Sequence, residues 1–196
     1  MNILNLSDLL GAQGAQVNNP LHGLVIGNRI PKDYFITQGT GESDITVHAG
    51  SYHLALKKAG IEMANIMTYS SILPAIATEI PKPGQLVHGA ATESIFAVAS
   101  GRKGERLTAG IIYGWLYDRI TGKKFGGLVC EHNGNYPVDE IEQLLRSSID
   151  ELYVNGFDEK YELKDIKIIS ETFVPQKQYG TALVAICFTN YFYPIV

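Results

Sequence analysis

The sequence predicts an α+β fold in which two stacked, mainly antiparallel sheets carry a helix on each outer face, a four-layer α/β/β/α sandwich. Two observations support this prediction. The elements run in the order β-α-β-β and then β-β-α-β-β, so each half of the chain supplies one helix. The share of strand is also too high for a doubly wound parallel sheet, in which strands and helices alternate.

The first helix is expected in the first half of the chain, at Ser51–Ala59. Ser51 can cap its beginning, and Gly60 stops it. Its apolar side is expected to hold Leu54, Ala55 and Ala59. A strand is predicted before this helix at Tyr34–Gln38, and it ends in a turn at Gly39–Glu42. Another strand is predicted after the helix at Asn65–Tyr69. A long irregular connection follows it, marked by Pro74, Pro81 and Pro83.

The second and clearer helix is expected at Pro137–Asn155. Proline is favoured at the first helical position, and Asp139 and Glu140 suit the positive end of the helix dipole. Gly156 closes the helix, and its apolar stripe consists of Ile141, Leu144, Leu145, Ile149 and Leu152. The remaining strands are predicted at Gln85–Val98, Leu107–Tyr117, Phe125–Glu131, Ile166–Val174 and Thr181–Phe188.

The composition indicates one globular domain spanning residues 1–196, with an N-terminal arm at 1–30. Apolar residues make up 45% of the chain and charged residues 18%, and the net charge is −4. A net negative charge does not favour binding to nucleic acid or to an anionic membrane. The chain has no basic signal sequence and no apolar run of membrane-spanning length, so we expect a cytoplasmic protein in which Cys130 and Cys187 are reduced.

Two common kinds of site are disfavoured. The five histidines are scattered without metal-ligand spacing, so no metal site is expected. The segment Gly39-Thr40-Gly41 lacks the third glycine of a dinucleotide-binding loop and is better interpreted as a turn.

One segment stands out, because Ser70 and Ser71 follow an apolar strand and precede Ile72-Leu73-Pro74. Alone, two serines before a proline indicate only a turn. The whole segment Asn65–Pro74, however, resembles the self-cleavage segment of the pyruvoyl-dependent arginine decarboxylases of archaea and chlamydiae. The resemblance covers roughly residues 19–190 and includes Asn19–His22, Gly39–Glu42, Gly127–Glu131, Tyr161–Leu163 and the last two strands.

The resemblance implies that the chain cuts itself between Ser70 and Ser71. The Ser71 hydroxyl would attack the Ser70 carbonyl and form an ester, and elimination would release residues 1–70 as a β chain. Residues 71–196 would remain as an α chain that begins with a pyruvoyl group made from Ser71. Asn65 is implied to assist both processing and substrate positioning, and hydrogen-bond donors at the Ser70 carbonyl would stabilise the oxyanion.

The resemblance also implies the reaction, the decarboxylation of arginine to agmatine and CO2 through an imine with the pyruvoyl group. Glu131 would be the acid that protonates the α carbon. Because it follows apolar residues on a strand, we expect it to be half-buried with a raised pKa. Without the resemblance, Glu131 would be interpreted as a surface charge at a strand end.

The sequence leaves open which amino acid is the substrate, because of the residue at position 53. Relatives that use arginine are similar around this helix but carry an Asp there, and histidine is a poor partner for a guanidinium. Either another acid (Glu42, Asp44 or Glu62) replaces it, or His53 faces solvent, or the substrate is another amino acid such as ornithine, histidine or an acidic one. Leu56 and Ile72 match positions that would line the substrate stem, and otherwise belong to the core.

Two non-catalytic alternatives are also open: an uncleaved structural or regulatory relative, and a small-molecule-binding protein without covalent chemistry. The presence of Ser70, Ser71, Asn65 and Glu131 together argues against both. The resemblance further implies a homotrimer, in some relatives paired into a hexamer, with the site between neighbouring subunits. Apart from copies of itself, the expected partner is a small amino-acid substrate.

Overall fold

The structure is a computed structural model that describes residues 28–84 and 86–194. Its described part contains two mostly antiparallel sheets and two α-helices, one on the outer face of each sheet. The predicted four-layer α+β sandwich is therefore confirmed. Within this part of the chain, neither helix is long and apolar enough to cross a membrane. The predicted N-terminal arm lies almost entirely outside the described residues, as does the Asn19–His22 segment.

The larger sheet has five strands in the order β2-β5-β9-β1-β4, and the smaller sheet has four in the order β3-β7-β6-β8. Only the outer pairs β2–β5 and β1–β4 of the larger sheet are parallel. The strands are β1 (Ile30–Ser43), β2 (Asn65–Thr68), β3 (Ile72–Pro74), β4 (Thr78–Glu79), β5 (Ala91–Arg102), β6 (Leu107–Asp118), β7 (Lys124–Gly134), β8 (Tyr161–Phe173) and β9 (Tyr179–Phe192).

Strand β9 shows why the sheets stack in layers. Its side chains alternate between two environments, as the two-residue period of a strand requires. Val184 and Ile186 point into the core between the two sheets, whereas Leu183 and Ala185 point toward the helix on the outer face. A strand that is apolar on both faces is buried on both faces, so β9 lies in the middle of the larger sheet.

The helix on the larger sheet begins as a π-helical turn (Val47–Tyr52) and continues as α1 (His53–Ala59). Gly60 ends it in the left-handed conformation with φ of 71°, as predicted. The prediction that Ser51 caps the helix is wrong, because its hydroxyl lies buried and hydrogen-bonds that of Thr181 at 2.9 Å. The predicted apolar side is also shifted: Leu54 is exposed, and Leu56 packs with Ala55 and Ala59 against the sheet.

The predicted turn at Gly39–Glu42 is wrong, because β1 runs through these residues to Ser43. Its glycines serve close packing instead. A Cβ atom on Gly39 would lie 2.3 Å from the Ala55 carbonyl oxygen, and one on Gly41 would lie 2.3 Å from that of Ser51. The absence of side chains at these positions lets the helical segment lie directly on the strand.

The helix on the smaller sheet is α2 (Val138–Gly156), close to the predicted bounds. Pro137 was expected at the first helical position. It is instead the N-cap residue, one position earlier, with ψ of 155°. Ile141, Leu145 and Ile149 are fully buried against the sheet, whereas Leu144 of the predicted stripe is exposed. A narrow buried stripe of this kind fixes the rotation of the helix on the sheet.

Most strands extend beyond the predicted bounds, and β5 begins later than predicted. The chain before it makes a turn at Gly89, where φ is 80°, and the strand therefore starts at Ala91 rather than Gln85. The connection around Pro74, predicted as irregular, contains the short strands β3 and β4. Strand β3 is short but decisive for the site, because it joins the smaller sheet at the edge of β7.

Candidate active site

Ser70 and Ser71 lie where the chain crosses from one sheet to the other. Before the crossing, β2 belongs to the larger sheet, and the Tyr69 amide donates a hydrogen bond of 2.9 Å to the Ser94 carbonyl oxygen on β5. After the crossing, the Ser71 carbonyl oxygen accepts a hydrogen bond of 3.1 Å from the Val129 amide on β7. The Ser70–Ser71 peptide bond is therefore held from both sides by different sheets.

The Ser71 side chain faces Glu131 on β7. Its hydroxyl lies 3.0 Å from one carboxylate oxygen and 2.9 Å from the other, and it donates to them. β3 pairs with β7 only over Gly126–Leu128, so β7 becomes an edge strand just before Glu131. Because β3 begins only at Ile72, the edge of β7 is free where the Ser71 and Glu131 side chains meet.

The Ser70 carbonyl has a hydrogen-bond donor of its own. The Ile72 amide donates to this oxygen at 2.9 Å, closing a three-residue turn centred on Ser71. A donor aimed at a carbonyl oxygen stabilises the negative charge that develops there when a nucleophile adds to the carbonyl carbon. The crossing therefore places a hydroxyl, a carboxylate and a backbone N–H donor around one peptide bond.

The environment of Glu131 changes its acidity. Burial raises the pKa of its carboxyl above the usual value, whereas the hydrogen bond from Ser71 and the charge of His132 act in the opposite direction. The predicted half-burial and raised pKa are both present. A carboxyl of this kind can exchange a proton nearer to neutral pH than an exposed glutamate can.

Ser71 and Glu131 line an open cavity of about 690 Å³ between the edge of the smaller sheet and α2. The strand side contributes Ser70, Ser71, Ile72, Val129, Cys130, Glu131 and His132, and the helix side contributes Ser148, Glu151, Leu152 and Asn155. Burial raises the pKa of the Cys130 thiol to about 11, so this group stays protonated and is a poor nucleophile.

The helix wall of the cavity is tied to the strand that carries Glu131. His132 shares a hydrogen bond of 2.7 Å with the Ser148 hydroxyl through its Nε2 atom. His132 follows Glu131 on β7 and points to the opposite face of the strand, so this bond ties α2 to the outer face of β7. The same bond sets the position of the residues that follow Ser148 on this face of α2.

The other residues singled out from the sequence lie in different places. Ile72 lines the cavity and is 55% exposed. Asn65 begins β2, where its side-chain amide donates to the Gly89 carbonyl oxygen at 3.0 Å. His53 is exposed at the start of α1. Leu56 is buried between α1 and the larger sheet. The last three are not among the residues that line the Ser71 cavity.

The amino-acid sequence matches known proteins over most of its length. The family model described as pyruvoyl-dependent arginine decarboxylase matches residues 33–192. The chain belongs to this family. It is similar to the pyruvoyl-dependent arginine decarboxylase AaxB of Chlamydia abortus, at 30% identity over 84% of this chain and 94% of the relative. It is also similar to the pyruvoyl-dependent arginine decarboxylase of Thermococcus kodakarensis, at 28% identity over 81% of this chain and 96% of the relative.

Membership in the pyruvoyl-dependent arginine decarboxylase family implies a covalently bound pyruvoyl group. The geometry at Ser71 fits a group of this kind. The residue has a hydroxyl beside a carboxylate, and the carbonyl before it has its own donor. It also opens onto a cavity large enough for a small substrate.

Two contributors to the site were not foreseen from the sequence. The donor to the Ser70 carbonyl oxygen is the backbone amide of Ile72, and a backbone group leaves no signal in the residue pattern. The helix wall does have a signal: Ser148, Glu151, Leu152 and Asn155 recur at the spacing of one helix face, beside the buried stripe of α2. Nothing in the pattern indicates which strand this face approaches.

Proposed function

We propose that this protein is a self-processing decarboxylase that converts arginine to agmatine and CO2, with a pyruvoyl group formed from Ser71. The observation that carries the proposal is the contact between the Ser71 hydroxyl and both carboxylate oxygens of the half-buried Glu131. The names of the relatives support arginine as the substrate.

In the processing step, Glu131 accepts the proton of the Ser71 hydroxyl. The Ser71 oxygen bonds to the carbonyl carbon of Ser70, and the bond between that carbon and the Ser71 nitrogen breaks as the nitrogen takes up the proton that Glu131 accepted. The Ile72 amide stabilises the charge on the Ser70 oxygen during this exchange. Loss of the Ser71 α proton then expels Ser70 as a carboxylate, and hydrolysis releases the Ser71 nitrogen as ammonia.

In the decarboxylation, the pyruvoyl group supplies the electron sink that accepts the electrons of the breaking bond to the carboxylate. Glu131 holds the proton that the substrate α carbon needs after CO2 has left. Its raised pKa suits this task, because burial favours the protonated form. Ile72 and Leu152 offer apolar surface to the stem of the substrate along the cavity.

The proposal includes an assembly of cleaved protomers, a homotrimer or a hexamer, in the cytoplasm. Asn65 lies on the outermost strand of the larger sheet, and Met63, Met67 and Val87 are exposed on or beside that strand. Exposed apolar side chains at a sheet edge favour a contact with another chain. Such a contact would bring Asn65 toward the cavity of a neighbouring subunit. The free thiols of Cys130 and Cys187 fit a reducing compartment.

Release of labelled CO2 tests the function. The purified protein is incubated with arginine, ornithine, histidine or glutamate, each labelled at the carboxyl carbon, and with the Ser71→Ala variant as the control. We expect release from arginine alone, with agmatine as the product and no release by the variant. Preferential release from another amino acid would retain the chemistry and contradict the substrate, and no release from any of them would contradict the function.

A further inference from the structure

We propose that Arg29 binds the carboxylate that self-cleavage creates at Ser70. This inference rests on the proposed function, because the carboxylate exists only in a cleaved chain. It assigns an anion site to the new C-terminal end of the released segment, in a second cavity beside the crossing.

This second cavity has a volume of about 530 Å³. It shares Ser70 and Ile72 with the cavity in front of Ser71. Arg29 lines it from the segment just before β1, and Tyr69 lines it from the end of β2. The guanidinium side chain and the residue that gains the carboxylate therefore border the same space.

Cleavage adds a negative charge at this place. The Ser70 carbonyl is a neutral amide before the cut and a free carboxylate after it, and the half-buried Glu131 lies next to Ser71. Carboxylates that lie close together repel one another, so the new group requires a cation. Among the described residues that line the two cavities, Arg29 is the one with a permanent positive charge.

The buried Glu93 on β5 holds Arg29 near the crossing. Glu93 pairs with Met67 on β2, three residues before Ser70, and is only 3% exposed. One of its carboxylate oxygens forms an ion pair with Nη2 of Arg29, and the other has no hydrogen-bond partner among the described residues. Loss of the cation would leave a buried charge unpaired, which is strongly unfavourable, so the pair keeps Arg29 in place.

The guanidinium can bind a second carboxylate in addition to Glu93. The Arg29 side chain is 46% exposed, and its guanidinium lies over the Tyr191 ring, 5.0 Å from the ring centre. Interactions with the hydroxyls of Tyr69 and Tyr193 raise the pKa of Arg29, so the group stays charged. Its five N–H donors form a planar fork that suits a carboxylate.

The new chain end cannot move far from this cavity. Tyr69 is fixed by the hydrogen bond from its amide to the Ser94 carbonyl oxygen and by its packing on Phe188. Ser70 follows directly, and consecutive Cα atoms are about 3.8 Å apart. Binding of its carboxylate by Arg29 would keep the chain end away from the pyruvoyl group, which the substrate must reach.

The test compares the Tm of four full-length proteins, namely the wild type, Arg29→Gln, Ser71→Ala and the double variant. The first two are expected to be cleaved and to carry the carboxylate, whereas the two with Ser71→Ala keep the bond after Ser70 intact. Loss of the pair with Glu93 lowers Tm in both backgrounds, so the difference between them reports the carboxylate. We expect Arg29→Gln to lower Tm by at least about 3 °C more in the cleaved background.

The matched control is Arg102→Gln in the same two backgrounds. Arg102 also lies over a tyrosine ring, at 5.2 Å from the centre of Tyr179, but it is the last residue of β5 and does not line either cavity. Its replacement removes the same charge and a similar ring contact. We expect it to change Tm equally in cleaved and uncleaved proteins.

Intact mass under denaturing conditions shows which proteins are cut. An equal loss of Tm in both backgrounds overturns the inference, as does an Arg29→Gln chain that is never cut, because Arg29 would then act before the carboxylate exists. Arg29→Lys keeps the charge and should restore part of the difference, which guards against a Gln variant that folds poorly. A wild-type chain that stays uncut contradicts the proposed function and this inference together, whereas equal losses in a chain that is cut contradict the inference alone.

Discussion

The Ser71 hydroxyl and the Glu131 carboxylate are hydrogen-bonded at 3.0 Å and 2.9 Å although they are 60 positions apart in the chain. Strand pairing brings them together, because β3 and β7 are neighbours in the smaller sheet. In our proposal, the same carboxyl serves twice. It accepts the Ser71 proton during processing and later donates a proton to the substrate.

The two serines at the crossing have different expected roles. Replacing Ser71 with Ala removes the nucleophile, so we expect an uncleaved chain. Replacing Ser70 with Ala removes only an exposed hydroxyl and keeps the carbonyl, so this variant should still be cleaved. Denaturing gel electrophoresis distinguishes one band from two. Cleavage of Ser71→Ala, or complete arrest of Ser70→Ala, would contradict the assignment of the nucleophile.

The two roles of Glu131 predict opposite pH dependences. Burial raises the pKa of this carboxyl above the usual value of 4.5, and each role needs a different protonation state. Decarboxylation needs the protonated form, so kcat should fall as the pH rises through the raised pKa. Self-cleavage needs the ionised form, so its rate should fall as the pH drops through the same value. Steady-state kinetics measures the fall of kcat at high pH, the alkaline limb. A time course of cleavage of freshly translated chain measures the fall of the cleavage rate at low pH.

The control is Glu131→Gln, which cannot titrate. Because this variant lacks the acceptor of the Ser71 proton, we expect it to be cleaved much more slowly than the wild-type chain. For the fraction that is cleaved after prolonged incubation, we expect kcat per cleaved chain to be lower by about 10²–10⁴-fold, the usual contribution of a positioned acid, and the alkaline limb to be absent. If kcat of this variant retained the same alkaline limb, another group would have to be responsible for it.

The two products of cleavage should stay together. β1 belongs to the residues before the cut, yet it pairs with β9 along its length in the middle of the larger sheet. The new ends also keep their anchors, since Tyr69 remains bonded to Ser94 and packs on Phe188, with ring centres 5.7 Å apart. We expect both pieces to elute together in size-exclusion chromatography and to separate only in denaturant. A native fraction containing only residues 71–196 would contradict this pairing.

The close packing of α1 on β1 makes Gly41 sensitive to substitution. In Gly41→Ala, the new Cβ would lie 2.3 Å from the Ser51 carbonyl oxygen and 2.4 Å from the Ala55 nitrogen. We expect the free energy of unfolding to fall by about 1–3 kcal/mol, which lowers Tm by about 2–4 °C per kcal/mol in a domain of this size. Gly156→Ala is the control, because nothing lies within 4 Å of its Cβ position. Equal thermal melts for both variants would show that the helix can move away without cost.

The layers of the fold could be predicted because they depend on local periodicity. The two-residue alternation and the helical stripe of α2 both appear in the sequence, and each indicates which face is buried. Gly39 and Gly41 were misjudged for the opposite reason. Glycine is common in turns, and its use here depends on a helix that approaches the strand from a distant part of the fold.

The site was predictable in part. Ser71 and Glu131 were found because the chain resembles a family with a known segment at each of them, whereas neither residue type alone would have indicated chemistry. The N–H donor at Ile72 depends on a backbone turn, and the helix wall of the cavity depends on the seating of α2. Both arise only when β3, β7 and α2 are assembled.

The most direct test of the central proposal is the intact mass of the purified protein under denaturing conditions, with and without borohydride. We expect two species. One is residues 1–70 with a free carboxylate at Ser70, and the other is residues 71–196 with a blocked amino end that gains two hydrogen atoms on reduction. A single species with the mass of the full 196-residue chain after prolonged incubation, unchanged by borohydride, would contradict the proposal that this protein makes its own cofactor from Ser71.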